Sequence, residues 1–279
     1  MLAKLLPPLT RQIPLMSGCG TLAHAKLPCP GGSREPRWMR LRTGERVFAS
    51  AQDYVGRVVH YFGDLDPKVF WVARQFVKQG DAVIDLGANV GTFSLPASTL
   101  VGRNGSVHGW EPQPDLVKGL RKSRDANGLE QFVIQAEALG EEAAELELHV
   151  PEHNRGGASL LEGRDGSRSA IQVPVFPSGE RFAELGLEDV RMVKMDVEGF
   201  ETQVVRGAFD FWKAHPPEVV LFEYREDEPF KGSELATMLE ELGYRIYCLP
   251  SYIFRPVLLP LDEKPEGLRT SHDLVALRK

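Results

Sequence analysis

Apolar positions along this chain fall into two alternating patterns, short continuous runs and longer stretches at helical spacing. "DAVIDLG" (81–87) is apolar but for its two aspartates, the composition of a short strand buried on both faces. Before it, Val69, Val72, Ala73, Phe76 and Val77 share one helical face that opens after Asp66-Pro67 and stops at Gly80. The alternation continues. "GTFSLPASTLV" suits a helix with Pro96 in its first turns, and "GSVHGWEP" (105–112) a strand ending at Glu111. Pro114 to Ala126 reads as a helix with Leu116, Val117 and Leu120 inward, closed by Asn127-Gly128, and "QFVIQAEAL" as a third strand. "RMVKMDVEG" and "EVVLFEY" predict two more strands with a helix, "FETQVVRGAFDFW", between them. Ser233 predicts a helix cap, with Leu235, Met238, Leu239 and Leu242 facing inward, and "YRIYCL" and "HDLVALR" are the last strands. Residues 144–150 and 170–176 alternate with period two around the glycine-rich "NRGGAS", which predicts an antiparallel β insertion. Residues 47–63 alternate loosely and read as short strands or an entry segment.

Strands alternating with helices predict an α/β fold, an open and mostly parallel sheet with helices on both faces. A single domain is expected over residues 37–279. Residues 1–36 are rich in proline and glycine and carry no acid before Glu35, so they read as a poorly ordered tail.

Composition narrows the function. With 279 residues and 42% hydrophobic content the chain can bury a real core. A net charge of -6 is a poor match to sequence-independent nucleic-acid binding. No apolar stretch is long enough to span a membrane. Three cysteines without CxxC spacing give neither a disulfide framework nor a zinc site, which favours the cytoplasm.

In an open α/β sheet the ligand binds beyond the carboxyl ends of the strands. Each central strand ends there in a carboxylate: Asp85, Glu111, Glu137, then Asp196 and Glu198, then Glu223. The turn after the first strand, D-L-G-A-N-V-G, is not the G-x-G-x-x-G of a pyrophosphate site, which also disfavours a nicotinamide oxidoreductase. An aspartate at its mouth repels phosphate and suits an amine or a cation. Gly87 and Gly91 let a ligand approach the backbone around Ala88 and Asn89, and Glu111-Pro112 lies where a carboxylate accepts from ribose hydroxyls. A nucleoside carrying an amino acid and a sulfonium fits that set, which predicts S-adenosylmethionine as the cofactor.

"VKMDVEGFE" (193–201) is the second unusual stretch. By strand alternation Lys194, Asp196 and Glu198 share one face, although a central parallel strand should be apolar on both. They predict a polar pocket at the rim in which a carboxylate takes the proton of a hydroxyl. The same D-x-E pair has the chemistry to hold Mg²⁺, but no histidine joins it and no metal is expected. If the β insertion folds over the rim, Asn154 and Ser159 face the substrate, while His153 reads as incidental.

Together these pieces resemble the FkbM family of S-adenosylmethionine-dependent methyltransferases: "DLGANVGTFSL", "WEPQPDLVKGLRKSRDANGL", "EALG", "NRGGASL", "VKMDVEGFETQVVRGA" and "LFEY", in the family's order and spacing over roughly residues 47–225. The resemblance implies a class I methyltransferase fold, Rossmann-like and closed by an antiparallel last strand. It implies methylation of a hydroxyl on a sugar, glycan or natural-product acceptor. It also implies donor contacts from the Asp85 to Gly91 turn, from Glu111-Pro112 and from Glu137-Ala138, with Lys194, Asp196, Glu198 and Glu223 lining the reaction site. One departure stands out: "VFPSGERF" (175–182) lacks the aspartate the family carries after the second insertion strand. Two alternatives stay open, a base-free reaction driven by positioning alone and a non-catalytic S-adenosylmethionine-binding sensor or partner-binding module.

Overall fold

The structure is a computed structural model that describes residues 6–31, 33–152, 154–161, 169–224, 229–263 and 270–279. His153 lies outside the described residues. In chain order the chain forms α1 (Pro7–Thr10), α2 (Cys19–Ala25), a hairpin of β1 (Arg37–Arg40) and β2 (Arg46–Ala49), α3 (Tyr54–Phe62), α4 (Pro67–Phe76), β3 (Ala82–Leu86) and α5 (Ser94–Val101). It continues through β4 (Ser106–Trp110), α6 (Pro114–Asn127), β5 (Phe132–Gln135), β6 (Ala138–Gly140), β7 (Ala144–Val150), β8 (Ser169–Pro177), α7 (Ser178–Glu184) and β9 (Met192–Met195). The last elements are α8 (Glu201–Ala214), β10 (Val219–Glu223), α9 (Glu234–Glu241), β11 (Tyr244–Pro250), the two-residue β12 (Leu259–Pro260) and β13 (Thr270–Arg278).

The main sheet runs β12-β11-β13-β10-β9-β3-β4-β5. Strands β10, β9, β3, β4 and β5 are parallel neighbours, and β13 is inserted antiparallel between β10 and β11. This is the Rossmann-like α/β sheet with an antiparallel last strand that the sequence implied. Its central strands are apolar on both faces for a physical reason: each face meets helices. Ile84, Leu86, Val193 and Phe222 pack against α8 and α9 through Val204, Val205, Leu235 and Leu239. Their neighbours Val83, Val107, Met192 and Leu221 pack on the other face with Val72, Leu95, Leu116 and Leu120 of α4, α5 and α6.

Three expectations change. The "QFVIQAEAL" run is two strands, because after Gln135 the chain leaves the main sheet and β6 joins β8 and β7 in a separate three-stranded sheet. Tyr54–Phe62 is helical, with Val55, Val58, Val59 and Phe62 buried; its apolar spacing serves period 3.6 as well as a loose alternation, and packing decides. Residues 6–31, expected to be a poorly ordered tail, hold two short helices, Pro7–Thr10 and Cys19–Ala25, and bury Leu15, Cys19 and Ala23 against Val58, Tyr61 and Phe62. The prolines divide this segment into short pieces without preventing a buried face, and Arg11 fixes it by donating to the carbonyls of Arg40 and Val59, both at 2.8 Å.

Candidate active site

A cavity of about 860 Å³ opens beyond the carboxyl ends of β3, β4, β9 and β10. The turn after β3 forms its floor on one side. Gly87 approaches so closely that an added Cβ would lie 2.0 Å from the Asp196 carbonyl oxygen, so no side chain fits there. Asn89 has a φ of 51°, which asparagine tolerates, and its side-chain oxygen accepts from Val90 N at 2.8 Å. The Asn89 backbone N–H donates at 2.9 Å to Glu111 Oε2, and Gln113 N donates at 2.9 Å to Glu111 Oε1. Each oxygen of this carboxylate keeps an acceptor site in reserve. Burial pushes the Glu111 carboxyl up to about 7, against the pull of these two backbone donors.

Asp85 takes a different place from the one expected. It is fully buried beneath the turn and does not line the cavity. One oxygen accepts from Ser94 Oγ; the other lies 3.2 Å from Lys194 Nζ. The cation this aspartate was read to attract is internal, because Asp85 and Lys194 are register partners on adjacent strands. Lys194 Nζ also donates to the Gly87 carbonyl at 3.2 Å and sits 3.6 Å from Asp196 Oδ2. Burial works against its ammonium, but Asp85 and Asp196 outweigh burial and hold its pKa above the ordinary lysine value. Gly91 is likewise a packing position, where an added Cβ would lie 2.6 Å from Leu120 Cδ1.

Gly87, Ala88, Asn89, Glu111, Pro112, Glu137 and Ala138 line the cavity, as do Lys194, Asp196, Glu198 and Glu223. Glu137 accepts from Trp110 Nε1 at 3.3 Å and pairs with Arg181 Nε at 3.0 Å. The face shared by Lys194, Asp196 and Glu198 does not arise by strand alternation: β9 ends at Met195, and Glu198 stands in a left-handed turn at φ 52°. Ser159 Oγ donates to the Glu198 carbonyl at 2.8 Å and helps hold that conformation. Ser159 is therefore a clamp behind the wall, whereas Asn154 lines the cavity. Carboxylate oxygens of Asp196, Glu198 and Glu223 lie within 4.8 Å of one another.

Sequence reasoning missed Gln113, Arg155, Asp53 and Glu201. Gln113 is buried in the cavity wall; its Nε2 donates to the Arg155 carbonyl at 2.9 Å, and its Oε1 has no hydrogen-bond partner. Arg155 N donates to Asp53 Oδ1 at 3.0 Å, which ties the β7–β8 loop to the start of α3. Glu201 accepts from Val197 N at 3.1 Å, and burial pushes its carboxyl up to about 7. None has a spacing signal, because each partner is far away in the chain or lies in a turn.

The sheet, the glycine turn and the carboxylate at the end of β4 define a class I methyltransferase. The match to the Methyltransferase FkbM domain covers residues 85–246, more than half of the chain, and the chain belongs to that family. Its cofactor is S-adenosylmethionine. The residues present suit that molecule: a buried carboxylate with spare acceptor capacity at Glu111, an unpartnered Gln113 carbonyl beside it, and a turn with no side chain at Gly87. The aklanonic acid methyltransferase DauC of Streptomyces sp. (strain C5) is 30% identical over 112 residues, 36% of this chain and 51% of that protein, so the match spans about half the length of this relative. Two solved structures are also similar. A SAM-dependent O-methyltransferase from Thermotoga maritima has a TM-score of 0.44 at 16% identity, covering 87% of this chain and 77% of its own. Aeropyrum pernix fibrillarin, in complex with S-adenosyl-L-methionine, has a TM-score of 0.41 at 17% identity, covering 89% and 86%. Among the described residues no helix is long and apolar enough to cross a membrane.

Proposed function

We propose that residues 37–279 act as one domain that methylates a hydroxyl oxygen of a small acceptor, a sugar, glycan or natural product. The observation that carries this reading is the group of three carboxylates, Asp196, Glu198 and Glu223, gathered on the cavity wall next to the glycine turn. The bound cofactor supplies a methyl group already activated on a sulfonium. The chain's task is then alignment and proton removal. Gly87, Ala88 and Asn89 present backbone to the donor, Glu111-Pro112 receives its ribose, and Glu137-Ala138 closes that side. A hydroxyl is a weak nucleophile while protonated, and a carboxylate within hydrogen-bond reach takes the proton as the new bond forms. Asp196 or Glu198 fills this role, Glu223 orients the hydroxyl, and Lys194 stabilises the charge while holding the donor turn against the acceptor wall.

No metal belongs to this mechanism, since among the described residues no histidine joins the three carboxylates, and turnover should be unchanged by a chelator. The name of the Streptomyces relative, an aklanonic acid methyltransferase, supports a small-molecule acceptor rather than a nucleic acid; so do the wall carboxylates, which repel phosphate. A cytoplasmic setting belongs to the same proposal, since Cys19, Cys29 and Cys248 form no disulfide among the described residues. The test is transfer from ¹³C-methyl S-adenosylmethionine to hydroxylated acceptors, read by NMR. A methyl resonance on oxygen is expected; a product methylated on carbon or nitrogen would remove the hydroxyl reading while leaving the methyltransferase intact.

A further inference from the structure

The segment before the matched domain region forms part of the cavity. Ser17, Gly18, Cys19, Gly20 and Thr21 all line it. Their place follows from their anchors. Met16 N donates to the Ile253 carbonyl at 2.7 Å, Ser17 Oγ donates to the Tyr252 carbonyl at 3.0 Å, and Lys68 N donates to the Met16 carbonyl at 3.2 Å. Tyr252 and Ile253 follow β11, and Lys68 Nζ pairs with Asp273 of β13 at 2.6 Å. Asp273 is in turn the register partner of Glu223 on β10. The segment therefore sits on the β10–β13–β11 side of the sheet. Glu111, at the end of β4, is four strand positions from β13, roughly 19 Å at a spacing of about 4.8 Å. The anchors of this wall thus lie toward β13, several strands from Glu111, while Gly20 meets the Tyr54 side chain of α3.

We propose that Ser17–Thr21 is the specificity wall of the acceptor half, selecting a neutral polyhydroxyl acceptor of sugar-like chemistry. This rests on the methyltransferase reading and adds the substrate class and the residues that choose it. The wall is built rather than loosely laid on. Cys19 and Ala23 are buried against α3, and the His24 ring stacks on Tyr54 at 4.2 Å, Tyr54 itself being a cavity residue. Its cavity-lining side chains are small, which leaves volume, and Ser17 and Thr21 add hydroxyls. Facing the same space are Asp64, Asp66, Lys68 and Asp273. Lys68 is paired with both Asp66 and Asp273, and Asp66 Oδ1 is buried without a hydrogen-bond partner among the described residues. Such a lining accepts hydroxyl hydrogens, and because burial pushes the Asp64 and Asp66 carboxyls up to about 7 it suits a neutral acceptor better than a charged one. Cys19 is not a nucleophile here: burial, aided by Asp64, pushes its thiol up to about 12.

The test uses the full chain with S-adenosylmethionine and a panel of neutral methyl hexosides with their matching uronic acids, following S-adenosylhomocysteine formation. Thr21 is exposed at the rim of α2, so Thr21→Trp narrows the cavity without entering the core. The wild type should favour neutral hexosides over uronates, and Thr21→Trp should cut kcat/KM for accepted hexosides by about tenfold or more. Calorimetric affinity for S-adenosylhomocysteine should stay within about twofold of wild type, as for a change remote from the donor end. Ser17→Ala, which removes one hydroxyl and its bond to the Tyr252 carbonyl while the Met16 backbone anchors remain, should lower kcat/KM by a smaller factor in the same direction. An unchanged acceptor profile in both variants, a preference for uronates, or no hexoside accepted by a wild type that binds S-adenosylhomocysteine overturns the proposal. Failure of the wild type to bind S-adenosylhomocysteine overturns the methyltransferase reading instead.

Discussion

On the β3–β4–β5 side the cavity wall combines the backbone of Gly87 and Ala88 with one carboxylate, Glu111, which the Asn89 and Gln113 main-chain N–H groups hold in place. On the β9–β10–β13 side it is side chains, Asp196, Glu198, Glu223, Asp273, Asp66 and Lys68, brought together from stretches separated by more than two hundred residues. Main-chain recognition depends on local turn geometry and suits a ligand that does not vary. Side-chain recognition can change residue by residue and suits the partner that does. Lys194 joins the halves, with one bond to the Gly87 carbonyl and ion pairs to Asp85 and Asp196.

Separating the halves kinetically gives the largest expected effect. Asp196→Asn and Glu198→Gln alter the acceptor wall and leave the turn in place. Whichever carboxylate takes the proton should cost about 10²–10⁴ in kcat, with S-adenosylhomocysteine affinity nearly unchanged. If both variants keep more than about a tenth of wild-type kcat, alignment alone accounts for the rate, within what positioning can supply. Lys194→Met acts on the joint instead. It strands Asp85, fully buried, without its cation, and breaking a buried pair from one side costs about 3–5 kcal/mol. Urea denaturation should show this as a lower midpoint. A loss of less than about 1 kcal/mol, the worth of a surface pair, would mean that water reaches Asp85.

The same division explains what could be read from the sequence. The parallel strands, the Ser233 cap and the glycine turn are local patterns of period or turn chemistry, and they are seen in the structure where expected, whereas the helix read as stopping at Gly80 ends at Phe76, with Val77 already extended. Ser233, read as a cap, accepts from Ala236 N at 3.1 Å. Asp85 was located correctly but given the wrong partner, because nothing local reveals that Lys194 lies one strand away in register. Glu198 reaches the cavity through a left-handed turn that strand alternation does not anticipate. The wall at residues 17–21 was illegible for the strongest reason: its proline and glycine content resembles an unstructured tail, and the apolar face that packs it is spread over Leu15, Cys19 and Ala23.

Glu111 lets the donor half be tested through pH. Its carboxyl is held at about 7, well above its ordinary 4.5. Because the folded pKa is raised, the folded state holds an extra proton between these values, so this group's contribution to stability is greatest at low pH and declines as pH rises through about 7. Donor hydroxyls hydrogen-bond best to the ionised form, so S-adenosylhomocysteine affinity should rise over the same interval. Glu201, buried and also held near 7, titrates in that window, so the diagnostic is a difference between proteins. Glu111→Gln should weaken binding about tenfold or more, as expected for lost bonds to a charged acceptor, and should flatten the pH dependence of affinity. A slope unchanged in Glu111→Gln would assign the titration to another carboxyl held near 7, Glu201 or the cavity-lining Asp64 and Asp66.

The smallest effect is expected at Glu137, where the donor wall turns to side chains. Its carboxylate is shared between Trp110 Nε1 and the Arg181 guanidinium. The Arg181 side chain is 27% exposed, so solvent weakens the pair. Glu137→Gln keeps the shape and an acceptor for Trp110, and removes only the charge. Donor affinity should change by no more than about fivefold, near 1 kcal/mol. An effect as large as that of Glu111→Gln would mean that the donor half reads its ligand by charge at two points, and would place Glu137 with the side-chain recognition of the acceptor half.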